Sequence, residues 1–84
     1  MQPVQEILNR IRWDENWSND DFKIGYYDRL EDRIILVDFK KIIFPEGDHF
    51  SFELIDQEGE LHSVPYHRVK AIYRNERLIW HREH

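Results

Sequence analysis

The sequence predicts an α+β fold: an N-terminal helix packed on a strongly curved antiparallel sheet, or small barrel, of about six short strands. Three observations carry this. Apolar residues near the start recur at helical spacing, from Phe22 onward they alternate, and turn-forming residues interrupt the alternation at short intervals. With 84 residues the chain is expected to be one domain, residues 1–84, close to the lower size limit for folding without metals or disulfides. Cysteine is absent, which excludes a disulfide framework and any thiolate metal site, so packing alone must hold the core. Three Trp, four Tyr and five Phe supply the apolar area that offsets chain entropy.

Val4, Ile7, Leu8 and Ile11 fall at i, i+3, i+4 and i+7, the stripe of an amphipathic helix running from Pro3 to about Arg12. Pro3 suits a first turn, and Arg10 and Arg12 suit a last turn, where cations complement the helix dipole. Trp13 to Asp21 reads as a polar loop from which Trp17 folds back onto the body. The next segment alternates, with Phe22, Ile24 and Tyr26 on one face and Lys23, Gly25 and Tyr27 on the other. Gly25 marks a bulge or a place where another backbone or a ligand comes close.

Leu30-Glu31-Asp32 turns the chain into Arg33 to Asp38, whose uniformly apolar middle predicts a central strand. Phe39 to Phe44 continues as an extended or kinked piece up to the Pro45-Glu46-Gly47-Asp48 turn. His49 to Ile55 points Phe50, Phe52 and Leu54 inward, and Asp56-Gln57-Glu58-Gly59 closes a hairpin onto Leu61 to Pro65. After a corner at Tyr66-His67-Arg68, Val69 to Tyr73 and Leu78 to Trp80 form a last pair around Arg74-Asn75-Glu76-Arg77. The predicted core joins the helix stripe to Trp13, Phe22, Ile24, Phe52, Val69, Ile72 and Trp80.

The formal net charge of −5 argues against a generic duplex binder, because such binding neutralises many phosphates with Lys and Arg. A nucleic-acid role must then be local: a small basic pocket on an acidic body, with Asp14-Glu15 and Asn19-Asp20-Asp21 repelling polyanions elsewhere. The longest aliphatic run, Ile34-Ile35-Leu36-Val37, is far short of the ~20 residues of a membrane span. Met1 to Glu6 lacks the basic start and apolar stretch of a secretion signal, so a cytoplasmic location is expected. Phosphate-loop and dinucleotide fingerprints are absent, no serine stands in a nucleophile elbow, and His81-Arg82-Glu83-His84 lacks a third fixed metal ligand. No metal or other cofactor is expected.

Two strand ends carry the remaining chemistry. Ile24-Gly25-Tyr26-Tyr27-Asp28-Arg29 delivers a carboxylate and an arginine, and Val64-Pro65-Tyr66-His67-Arg68-Val69 delivers an imidazole beside a second arginine. Two such corners suit one phosphate, since the arginine fork matches phosphate oxygens and a histidine beside it can donate a proton. Surface turns held by local salt bridges use the same residue types.

These blocks, with Ile11-Arg12-Trp13-Asp14, Lys70-Ala71-Ile72, Trp80 and Arg82, resemble the RNA cyclic group end recognition domain family, in order and over nearly the whole chain. The chain departs from that pattern at Glu15, where the family often has Pro, near Asn75, where a Gly is usual, and at His81, where an acidic residue is usual. The resemblance implies a module, stand-alone or beside RNA end-processing enzymes, that reads an RNA 3′ end or a phosphorylated nucleotide. In that role Arg29 and Arg68 would grip non-bridging oxygens, His67 would bond the ribose or phosphate edge, and Asp28 would orient an arginine. Tyr26, Tyr27 or Tyr66 could stack on the terminal base.

Two alternatives stand beside it. A cyclic phosphodiesterase-like enzyme would need an acid and a base on opposite sides of the phosphorus, with His62 and His67 the pair to test. A protein-interaction module would show an exposed apolar patch or open sheet edge in place of a concave basic patch around Arg29, His67 and Arg68.

Overall fold

The stripe of Val4, Ile7, Leu8 and Ile11 winds into helix α1, Val4–Trp13, and all four side chains are buried. Pro3 caps it in extended geometry, and the Asp14 N–H closes the other end on the Arg10 carbonyl at 2.9 Å. The computed structural model describes residues 3–47 and 50–82. Asp48 of the predicted turn, His49 of the predicted strand, and Glu83 and His84 lie outside the described residues.

Seven strands follow among the described residues: β1 (Phe22–Asp28), β2 (Arg33–Asp38), β3 (Ile42–Ile43), β4 (Ser51–Ile55), β5 (Leu61–Pro65), β6 (Val69–Arg74) and β7 (Arg77–His81). They form two antiparallel sheets, one ordered β2-β1-β6-β7 and the other β3-β4-β5. The α+β class holds, but the small barrel does not. A 3₁₀ turn at Phe39–Lys41 separates β2 from β3, and among the described residues the two-residue β3 pairs with β4 alone, so the two sheets do not close into one. One apolar cluster joins Ile24, Val69, Ile72 and Trp80 of the larger sheet, Phe52, Leu54 and Val64 of the smaller, and the stripe of α1.

Three expectations fail, each for a local reason. Trp13 is 73% exposed. It stands two positions after Ile11, about 200° around the helix from the stripe, so it lies outside the buried core. Strand β2 lies at the sheet edge, paired with β1 alone, and its apolar run conceals an alternation in which Ile35 and Val37 pack on the core while Ile34 and Leu36 stay exposed. Phe50 stands just before β4 and is exposed, with its carbonyl accepting a bond from the Tyr66 N–H at 2.9 Å.

Trp17 does fold back. Its ring stacks on Phe22 at 5.6 Å, with the guanidinium groups of Arg10 and Arg74 at 4.0 and 4.7 Å from its centroid. Arg74 also pairs with Asp20 at 2.6 Å, which ties the acidic loop down. Gly25 marks the expected bulge, and the atoms that crowd it are side chains of β2, not another backbone or a ligand. The β1–β6 register shifts between Gly25 and Tyr26, and a Cβ at Gly25 would stand 3.1 Å from Ile34 Cγ2 and 3.2 Å from Leu36 Cδ2.

Candidate functional site

Strands β1 and β6 are antiparallel neighbours, so the end of β1 lies beside the start of β6. This topology brings the two basic corners together. At the first, Asp28 Oδ1 accepts bonds from the Leu30 and Glu31 N–H groups at 2.8 and 3.3 Å, and the Asp32 N–H donates to the Asp28 carbonyl at 2.8 Å. Asp32 completes the turn in the left-handed region at φ 54°, which aspartate tolerates better than most residues.

At the second corner, Pro65 holds φ −62° and ψ 143° before a 3₁₀ turn at Tyr66–Arg68. Arg82 staples that turn from the end of the chain, where Nη1 donates to the His67 carbonyl and its own N–H to the Lys70 carbonyl, both at 2.9 Å. The Arg82 guanidinium lies 5.2 Å from the Trp80 ring centroid, so a buried tryptophan backs the staple.

Between the corners opens a cleft of about 580 Å³ lined by Tyr27, Arg29, Asp32, His67, Arg68 and Lys70. Arg29, His67 and Arg68 therefore converge, as the sequence predicts. Among the described residues no carboxylate forms an ion pair with Arg29, Arg68 or Lys70. Three permanent cations thus share the cleft with one carboxylate, Asp32, which accepts a hydrogen bond from the Tyr27 hydroxyl. That bond holds the Tyr27 phenol above its ordinary pKa of 10.0 and keeps it protonated.

Three of the predicted ligand contacts stand elsewhere. Tyr26 is buried in the core, where burial raises its phenol pKa, because it shares the face of Phe22 and Ile24. Tyr66 packs against Phe52 with ring centroids 5.8 Å apart. The Asp28 carboxylate caps its own turn and, among the described residues, bonds to no arginine. Sequence reasoning passed over Asp32 and Lys70. The first could be sought from the need for a left-handed residue in a tight turn, and the second follows the basic corner directly as the chain enters β6.

His62 is not among the residues that line the cleft. It lies on β5, its Nε2 2.6 Å from Asp56 Oδ2 across the hairpin loop. Asp56 Oδ1 in turn accepts from the Glu58 and Glu60 N–H groups, both at 2.9 Å. The shared hydrogen bond raises the His62 pKa above 6.5 and lowers that of Asp56 below 3.8.

No curated protein and no solved structure matches the chain. A family model does match, over residues 1–82, and it spans both basic corners and the Arg82 staple. The chain belongs to the MJ1316 RNA cyclic group end recognition domain family.

Proposed function

We propose that the protein is a non-catalytic reader of RNA 3′ ends, holding a 2′,3′-cyclic phosphate or a terminal phosphate in the basic cleft and serving RNA processing or repair beside an end-processing enzyme. The observation that carries this is the convergence of Arg29, Arg68 and Lys70, without ion-pair partners among the described residues, on one cleft of a chain with net charge −5. Unpaired cations gathered in a concavity attract an anion of small extent, while the acidic surroundings discourage a long tract. A cyclic phosphate presents two non-bridging oxygens, the geometry that an arginine fork satisfies. Tyr27 offers an aromatic face for the terminal base.

Cleavage through two imidazoles needs a second one across the phosphorus, and among the described residues His67 alone lines the cleft. Neutralising the one terminal phosphate of a single-stranded ligand implies a log–log salt slope near about −0.7, whereas a tract binder shows several times that. The direct test is Arg68→Lys against a 2′,3′-cyclic mononucleotide. A point ammonium cannot reproduce the fork, so affinity is expected to fall about tenfold. Unchanged affinity in Arg68→Lys, or release of a 2′- or 3′-phosphate by the wild type, contradicts the proposal.

One observation favours a second reading. The outer strand β2 leaves Ile34 and Leu36 exposed, an arrangement suited to accepting a partner's strand. Leu36→Lys would block such a partner and leave RNA-end binding intact.

A further inference from the structure

Away from the basic cleft, a second concavity of about 400 Å³ opens where α1 meets the 3₁₀ turn at Phe39–Lys41. Its lining includes Arg12, Trp13, Phe22, Phe39, Lys40 and Phe44. Trp13 stands at its lip, 73% exposed, although it is among the largest apolar side chains in the protein. The Arg12 guanidinium lies 5.0 Å from the Trp13 ring centroid and 4.4 Å from that of Phe44, so the aromatic surface comes with a positive charge attached. Lys40 adds a second cation, and the carboxylate in the lining, Asp20, is already paired with Arg74.

We propose that this aromatic cleft is a second nucleotide subsite, in which an unpaired base stacks on Trp13 while its phosphate meets Arg12 and Lys40. Flat π-faces beside cations are the means by which proteins hold single-stranded nucleic acid without reading its sequence. Charge complementarity selects a nucleotide over an acidic side chain, which would use the two cations and leave the ring faces uncovered. The inference rests on RNA being the ligand of the basic cleft, and it extends that contact inward from the end. Phe22 opens β1 and Tyr27 nearly closes it, so the two clefts lie at opposite ends of the β1–β2 hairpin, roughly 17 Å apart along the strand. A mononucleotide in one cannot reach the other, whereas an oligonucleotide of several residues can.

The test compares a 2′,3′-cyclic mononucleotide with a single-stranded hexanucleotide carrying the same end, each titrated against wild type, Trp13→Ala, Lys40→Ala and Arg68→Ala. The hexanucleotide is expected to bind Trp13→Ala about 5- to 150-fold more weakly than wild type, the loss of one base stack. The mononucleotide should bind that variant as it binds wild type. Lys40→Ala should follow the same pattern, and Arg68→Ala should weaken both ligands. Equal hexanucleotide affinity for wild type and Trp13→Ala overturns the subsite, as does an equal loss for both ligands. Absence of RNA binding overturns both clefts. A hexanucleotide whose binding depends on Trp13 but not on Arg68 upholds the subsite and refutes the end-reading cleft.

Discussion

At the residue scale, the contrast among the tryptophans decides what substitution does. Trp80 is buried in the common core and Trp13 is exposed at the end of α1. Trp80→Ala is expected to cost about 3–5 kcal/mol, a large share of the roughly 5–15 kcal/mol that holds a domain together. Trp13→Ala should stay within about 0.5 kcal/mol. Chemical denaturation of both variants measures the difference. His62 gives a second residue-level expectation. Folding raises its proton affinity, so its contribution is complete below pH 6.5 and fades as pH rises through the folded value; Asp56 is lowered, so its contribution holds above pH 3.8 and fades as pH falls below. The clamp is therefore strongest between these values. An NMR titration of the His62 ring should give a midpoint above 6.5 that returns toward it in Asp56→Asn, and a wild-type midpoint at or below 6.5 contradicts the hydrogen bond. Arg29, His67 and Arg68 were legible because each follows a strand end within a dense motif. The tyrosines were harder, since an aromatic beside a motif serves core or ligand equally well. The alternation from Phe22 already assigned Tyr26 to the core face and Tyr27 to the other.

At the element scale, the last hairpin shows where this chain leaves the pattern its sequence resembles. The β6–β7 turn has Asn75 at φ 50° and Glu76 at φ 71°, two successive left-handed residues between the paired Arg74 and Arg77. A turn of this type favours Asn followed by Gly. Asn75 fits it well, and its side chain and N–H bond to the Asp21 N–H and carbonyl at 3.0 and 2.7 Å. Glu76 does not fit it. Glu76→Gly should relieve the left-handed strain, about 1–2 kcal/mol, less the extra chain entropy of glycine, for a net gain of roughly 0.5–1 kcal/mol. A thermal melt should then rise by roughly 2–8 °C. Helix α1 and the β4–β5 hairpin were legible because each rests on short-range periodicity closed by turn residues. Strand β2 was not. Four consecutive aliphatic residues do not reveal which two face the core, and only pairing with β1 on a single side makes it an edge.

At the scale of the whole molecule, two properties define the account: an acidic body, and a topology that sets the end of β1 against the start of β6. The charge was legible in composition, and the local basic corners were legible as motifs. Their meeting depended on β6 pairing beside β1, a long-range choice that no local pattern encodes. The break into two sheets was equally hidden, since it turns on a three-residue 3₁₀ turn and a two-residue strand. The central claim is that the basic cleft reads the end group of an RNA. It is tested most directly by titrating the protein with one short single-stranded RNA prepared with 2′,3′-cyclic phosphate, 3′-phosphate and 3′-hydroxyl ends at fixed salt. The phosphorylated ends, cyclic included, are expected to bind about tenfold or more tightly than the hydroxyl end, the worth of one charge-assisted hydrogen bond or more. Equal affinity for all three ends would contradict it.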